Sequence, residues 1–157
     1  YNIYFFPHIQ TDYIAIIDLL KLINNEFVRT RVSITSLIQG SELETFKHYK
    51  ECEMIFAMRF HSNICAISMG IPTLGLISYP KHGYMYEEIG LIQRKVGLKD
   101  MNFEERITNE FNNLIQGRNK LNELSLINKE TMQKIRREKE LIYLKSKEWL
   151  LQMKLTN

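Results

Sequence analysis

The fold of this chain is decided by the stretch "EMIFAMRFHSNICAISMGIPTLGLIS", residues 53–78. The apolar runs "EMIFAM" and "IPTLGLIS" have the length and composition of two buried strands. Between them, "HSNICAISMG" predicts a short helix that stops at Gly70, because glycine is the residue that most often ends a helix. A connection of about a dozen residues is near the minimum for a parallel pair. The stretch therefore predicts two parallel strands joined by a helix.

The same alternation continues upstream of this unit. "NIYFFPHI" and "RVSITSLI" are strand candidates, and "TDYIAIIDLLKLINNEF" predicts one amphipathic helix capped by Thr11 or Asp12. Ser41 and Glu44 have the spacing of a capping box, which predicts the start of a second helix.

Downstream, "YPKHGYMYEEIGL" predicts an aromatic loop before a short helix, and "VGL" predicts a small edge strand. "NFEERITNEFNNLIQG" predicts a helix from its cap Asn102 to Gly117. The alternation predicts an α/β fold, with a Rossmann-like parallel sheet of at least four strands over residues 3–99 and helices on both faces. We expect a domain over 1–117 and a helical C-terminal extension over 118–157 that packs on it or on a further domain.

Composition limits the function classes. The 157 residues are 45% hydrophobic and 25% charged, with a net charge of +3, so the chain is an ordinary globular one and nucleic acid is not predicted as a partner. No stretch is apolar for long enough to span a membrane, and no signal peptide is visible. Cys52 and Cys65 lack metal-binding spacing and are predicted to be buried, reduced thiols, which indicates a reducing compartment.

Arg59 and His61 stand two residues apart where the strand "EMIFAM" passes into the helix. The carboxyl ends of parallel strands and the N-termini of the following helices share one edge of the sheet, and helix N-termini attract anions. A guanidinium matches a carboxylate or phosphate through two parallel hydrogen bonds, and an imidazole titrates near neutral pH. The pair predicts an anion site with an acid/base group, with Phe60 turned inward. The spacing alone leaves open a surface salt bridge for Arg59 and a helix cap for His61.

The sequence segments around this pair resemble those of the polysaccharide pyruvyl transferase family. In that family an M-R-x-H segment leads into a helix of small residues, a G-x-P turn, an apolar strand and a Tyr/Lys segment. The residues that fall on the pattern are Arg59, His61, Ala66, Gly70, Pro72, Gly75, Tyr79 and Lys81. Upstream, Pro7, His8 and Asp12 are similar to the family's strand end, P-H turn and following acidic residue. The resemblance covers about residues 3–100.

Three positions depart from the family pattern. Ala57 stands where the family often has Gly, Glu53 where it has Asp, and Pro80 where it usually has Asp before the Lys. The first two changes are mild, whereas Pro80 leaves the substrate open.

The resemblance implies one half of a GT-B-type fold, with an N-terminal domain outside this chain. It implies transfer of the pyruvyl group of phosphoenolpyruvate to sugar hydroxyls of a cell-surface polysaccharide, as a ketal. His61 would then be catalytic, and His8 is a further candidate. The donor would be held by Arg59, Phe60, Ser62, Ser78, Tyr79 and Lys81. Asn63 could donate a further hydrogen bond.

The implied partners are phosphoenolpyruvate, as co-substrate, and a saccharide acceptor. No metal and no other cofactor are predicted. The resemblance implies a cytoplasmic location. A location at the inner face of the membrane is an alternative, because a lipid-linked acceptor would lie there. The implied process is biosynthesis of exopolysaccharide for the cell envelope.

Two other functions remain open from the sequence. One is another GT-B enzyme, a glycosyltransferase or epimerase that uses a sugar nucleotide and contacts its ribose through Glu87 or Glu88. The other is a non-catalytic module that docks a partner through the helical C-terminus. His48 and His82 are predicted to be surface histidines.

Overall fold

The computed structural model describes residues 1–35, 42–116 and 118–155. The chain divides into two compact units, Tyr1–Glu51 and Cys52–Asn157. All described strand pairs are parallel, and helices connect successive strands. The predicted α/β class is confirmed, and the arrangement is consistent with a Rossmann-like half. Ser41 of the predicted capping box and Gly117 lie outside the described residues.

Two short strands and three helices form the described part of the first unit, residues 1–35 and 42–51. They are β1 (Ile3–Phe5), α1 (Gln10–Lys21), α2 (Asn25–Arg31), β2 (Val32–Ile34) and α3 (Glu42–Tyr49). β1 and β2 pair in parallel, with Ile3 opposite Val32.

The single helix predicted over "TDYIAIIDLLKLINNEF" is wrong, because the structure has two helices there. The side chain of Asn24 accepts hydrogen bonds from the backbone N–H groups of Glu26 and Phe27, and this cap starts a new helix. The predicted cap of α1 is also displaced. Ile9 is the N-cap residue, and the Asp12 carboxylate, three residues on, accepts from the N–H of Ile9 at 3.2 Å.

The second unit has a three-stranded sheet. Its elements are β3 (Ile55–Ala57), α4 (Phe60–Ser68), β4 (Thr73–Ile77), α5 (Pro80–Glu88), a 3₁₀ turn (Ile92–Arg94), β5 (Lys95–Gly97), α6 (Phe103–Ile115) and α7 (Arg118–Leu155). The strand order is β3-β4-β5, with Ala57 opposite Gly75 and Ile77 opposite Gly97. The parallel β3–α4–β4 unit is confirmed, as is the edge strand predicted at "VGL".

The prediction of one sheet of at least four strands is wrong for the described residues. Their hydrogen bonds join the five strands into two sheets, one of two strands and one of three. The alternation of patterns identifies which segments are extended. It does not identify which strand edges pair, because pairing depends on where each crossover places the next strand.

Helices α4 and α5 end in the same way. Gly70 and Gly90 have φ values of 77° and 73°, in the left-handed region that glycine tolerates. The next residue in each case donates its N–H to a carbonyl five positions back, from Ile71 to Ala66 and from Leu91 to Tyr86. This is the Schellman ending, and it confirms Gly70 as the stop of α4.

The core of the second unit lies where α4, α5 and the turn after α5 meet. Ile67, Met85, Tyr86 and Leu91 are buried together, and Ile127 and Met132 of α7 pack against them. The first part of α7 thus belongs to this unit, while the predicted domain boundary at residue 118 stays a prediction. Among the described residues, no helix combines the length and apolar character needed to cross a membrane.

Cys52 and Cys65 are not joined by a disulfide, as predicted, but they are half-buried rather than buried. Burial raises the pKa of the Cys65 thiol.

Candidate functional site

Two strand-to-helix corners lie side by side at the carboxyl edge of the three-stranded sheet. Two residues separate β3 from α4, and two separate β4 from α5. Because β3 and β4 are neighbours and parallel, both helices begin at this edge. The N-cap residues, Arg59 and Tyr79, are extended and make no side-chain cap hydrogen bond in the described structure. The first-turn N–H groups of both helices are therefore not used up by a cap from their own N-cap residue.

The first corner carries the pair that the sequence singled out. His61 is exposed, in the first turn of α4, and Arg59 is half-buried at the N-cap. Phe60 turns inward and packs against the buried cluster, as expected. The side chain of Ser62 is buried, so the group that it could offer a ligand from the helix start is its backbone N–H.

The second corner brings other predicted donor-binding residues beside the first. The Lys81 ammonium lies 4.6 Å from the centroid of the Phe60 ring, a cation–π distance. Tyr79 is exposed at the N-cap of α5, and Ser78 is half-buried in the link before it. Pro80 occupies the first helical position, where its missing N–H costs nothing and its fixed φ suits the helix. The loop predicted here is therefore replaced by a helix that begins at Pro80.

His82 is a site residue that the sequence analysis misjudged. It was predicted to be a surface histidine, but it is only 9% exposed. Its ring lies 5.7 Å from that of Phe60 and 5.8 Å from that of Tyr79, between centroids. Pro80 was a signal for its position, because a proline that starts a helix would have put His82 in the first turn of α5, but it does not predict the burial of the ring.

Burial lowers the pKa of His82, and the nearby Lys81 charge acts in the same direction. A hydrogen bond to the backbone of Met58 acts in the opposite direction. Its Nδ1 is buried and has no hydrogen-bond partner among the described residues. Burial thus favours the neutral form of the His82 ring.

Asn63 was predicted to donate to a ligand, and this is wrong. It is fully buried and donates instead to the backbone carbonyls of Ala57 and Arg59. The reason is geometric, since Asn63 follows Ser62 on the buried face of α4.

The remaining candidates belong to other elements of the chain. His8 is in the first unit, with its Nε2 3.1 Å from the hydroxyl of Tyr49. His48 is exposed, as predicted. Glu87 pairs with Lys95 at 2.5 Å near the C-terminal end of α5, about 10 Å along the axis from the helix start.

The charges of the two corners suit an anion. Arg59 and Lys81 supply two cations, and neither α4 nor α5 has an acidic residue in its first turn. Both helix N-termini add partial positive charge. Among the described residues, no three His, Cys, Asp or Glu side chains cluster as a metal site would require. The arrangement can hold a small dianion beside an accessible imidazole.

The family model for polysaccharide pyruvyl transferase matches residues 1–80, half of the chain. The chain belongs to the polysaccharide pyruvyl transferase family. Membership makes this a transferase-family chain linked to polysaccharide biosynthesis. Arg59, His61 and Tyr79 lie inside the matched stretch, and Lys81 and His82 lie just beyond it. Neither a curated protein nor a solved structure matches the chain significantly.

Proposed function

We propose that the two corners bind phosphoenolpyruvate and that His61 carries a proton during transfer of its pyruvyl group to a sugar. The observation that carries the proposal is that two neighbouring helices begin at one edge of the sheet. Arg59 and the exposed His61 stand at the start of α4, and Lys81, at the start of α5, lies over the Phe60 ring between them in sequence. Phosphoenolpyruvate has a carboxylate and a phosphate, so it needs two anion-binding positions. The Arg59 fork suits one of them, and Lys81 with the start of α5 suits the other.

The reaction is balanced without a further reactant. One sugar hydroxyl adds to C2 of the enol while C3 gains a proton and becomes a methyl group. The second hydroxyl then bonds to C2, and the C2–O bond to phosphate breaks. One hydroxyl proton therefore ends on C3 and the other on phosphate. His61 is the group that moves a proton to or from these atoms, an effect typically worth about 10²–10⁴-fold in rate.

Two features of this chain bear on the donor and the acceptor. Pro80 replaces the acidic residue usual in the family, which keeps a carboxylate out of the anion site. Two exposed tyrosines could stack on a sugar: Tyr79 is the N-cap residue of α5, and Tyr84 lies in its second turn. We place the reaction in the cytoplasm, with a lipid-linked acceptor at the inner membrane face as one form of substrate.

A sugar-nucleotide donor is less well supported. Such a donor needs an acidic residue for the ribose hydroxyls, and the candidates were Glu87 and Glu88. Glu87 is engaged by Lys95, and both glutamates stand at the far end of α5 from the two corners. A GT-B-type partner domain remains part of the proposal through the family resemblance.

Calorimetry with phosphoenolpyruvate and, in parallel, with nucleotide sugars tests the donor. Binding of phosphoenolpyruvate alone supports the proposal, and binding of nucleotide sugars alone overturns it. Mass spectrometry of a saccharide incubated with the protein and phosphoenolpyruvate tests the chemistry, because a ketal adds one pyruvyl unit. If neither donor binds, the non-catalytic module becomes the better hypothesis.

A further inference from the structure

Asn63 is a polar residue at a fully buried position in the first turn of α4. Its amide donates to the Ala57 carbonyl at 3.0 Å and to the Arg59 carbonyl at 2.8 Å. Ala57 is the last residue of β3, and Arg59 is the N-cap of α4. One side chain thus ties the strand end to the helix start across the corner that carries Arg59 and His61.

Tyr86 completes this contact from α5. Its hydroxyl donates to Oδ1 of Asn63 at 2.6 Å, and both side chains are fully buried. Burial raises the pKa of Tyr86, so the phenol keeps the proton that it donates. Gly75 makes the approach possible, because a Cβ there would lie 2.4 Å from Cε2 of the Tyr86 ring. Both amide protons of Asn63 and one lone pair of its oxygen are thereby satisfied.

Among the residues that the structure describes, no side chain ties the second corner together in this way. Counted from the end of the strand, Gly83 holds the position in α5 that Asn63 holds in α4. It has no side chain to reach back to the strand. The brace therefore belongs to the corner with the Arg–His pair, and a general need of strand-to-helix turns does not explain it.

We propose that Asn63 and Tyr86 are positioning residues that fix the directions in which the side chains of Arg59 and His61 project from the N-terminus of α4. This inference rests on the proposed function, in which that pair binds phosphoenolpyruvate and transfers a proton. Neither Asn63 nor Tyr86 touches the donor. They act by holding the carbonyls of Ala57 and Arg59, and therefore the backbone of the corner.

The test is Tyr86→Phe, which keeps the ring that fills the space beside Gly75 and removes the hydroxyl alone. Tyr143→Phe is the matched control, because Tyr143 is exposed on α7. Phosphoenolpyruvate affinity is measured by calorimetry well below the unfolding temperature, and the ¹⁵N signals of the His61 ring are recorded without ligand. We expect Tyr86→Phe to raise Kd about 3- to 10-fold and to shift the His61 signals. The control should change neither.

Asn63→Ser is the second variant. Its hydroxyl can still donate to the Arg59 carbonyl but cannot reach both carbonyls and Tyr86, so the same changes should be larger. Unchanged affinity and unchanged His61 signals in the folded variants would overturn the inference, since a merely structural role would lower stability alone. If the wild-type protein does not bind phosphoenolpyruvate, the proposed function fails. The His61 signals then decide the positioning role without it.

Discussion

The two strand-to-helix corners have the same backbone design, but the histidine of the first corner is exposed and that of the second is buried. Each has a two-residue link, an extended N-cap residue, a nine-residue helix and a glycine stop. In α4 the exposed residue at the second helical position is His61 and the next residue, Ser62, is buried. In α5 the exposed residue there is Lys81 and the buried one is His82.

This difference separates two roles that the residue types alone do not. An imidazole exposed at a helix start can exchange protons with a ligand, whereas one packed among Phe60 and Tyr79 is kept neutral. The cations divide in a similar way. Arg59 is half-buried and its carbonyl accepts from Asn63, whereas Lys81 is exposed and its ammonium lies over the Phe60 ring.

The largest expected effect is a loss of turnover when the imidazole of the first corner is replaced. His61→Gln keeps a hydrogen-bonding group that cannot act as an acid near neutral pH. We expect turnover to fall by about 10²–10⁴-fold while phosphoenolpyruvate binding changes little. Steady-state kinetics and calorimetry measure the two separately. His48→Gln, at an exposed histidine of the first unit, is the control and should keep wild-type turnover. Near wild-type turnover in His61→Gln would remove His61 from the mechanism.

The next effect concerns the guanidinium of the first corner. Arg59→Lys keeps the charge and loses the planar fork, so donor binding should weaken by about 1–3 kcal/mol. Calorimetry with phosphoenolpyruvate measures this directly. Arg136→Lys on the exposed surface of α7 is the matched control. Equal affinity in Arg59→Lys and in the control would show that Arg59 acts only as a point charge or does not contact the donor.

A smaller effect tests the second imidazole through pH. The pKa of His82 is lowered in the folded protein, so the unfolded chain binds its proton more readily. The contribution of neutral His82 to the free energy of unfolding is therefore complete at a pH above the ordinary histidine pKa. That contribution is lost as the pH falls below the ordinary value and through the lowered pKa of the folded state. Denaturant unfolding from pH 7.5 to pH 5 should show a steeper loss of stability in the wild-type protein than in His82→Phe. Identical slopes would contradict the assignment of a neutral, buried ring.

The smallest expected effect is the contribution of the Lys81 charge over Phe60 to the free energy of unfolding, as distinct from that of its apolar side-chain atoms. Lys81→Met removes the cation over Phe60 and should lower the free energy of unfolding by about 0.5–1 kcal/mol. Lys81→Arg keeps a cation that can lie over the ring and should recover most of the loss. Thermal unfolding of the three proteins measures the difference. The contact would be without energetic value if Lys81→Met were as stable as the wild-type protein.

Much of the second unit followed from local patterns. The runs around residues 53–58 and 71–78 and the stop at Gly70 gave the parallel β3–α4–β4 unit. The first unit was predicted less well because Asn24, as a cap, overrode a helical periodicity that continues to Phe27. The expected single sheet failed for a different reason, since periodicity does not encode strand partners.

The sequence by itself determined the α/β class, the family and the Arg59–His61 pair, because strand and helix periods and a short motif are local properties of the chain. Only the tertiary structure decided which side chains meet. Lys81 comes over Phe60 because two parallel strands become neighbours across about 20 positions of sequence. Asn63 faces the carbonyls of Ala57 and Arg59, and His82 is buried rather than exposed, because helices α4 and α5 each turn one face to the sheet and core. Burial of this kind is set by packing between elements distant in sequence, which no local pattern records.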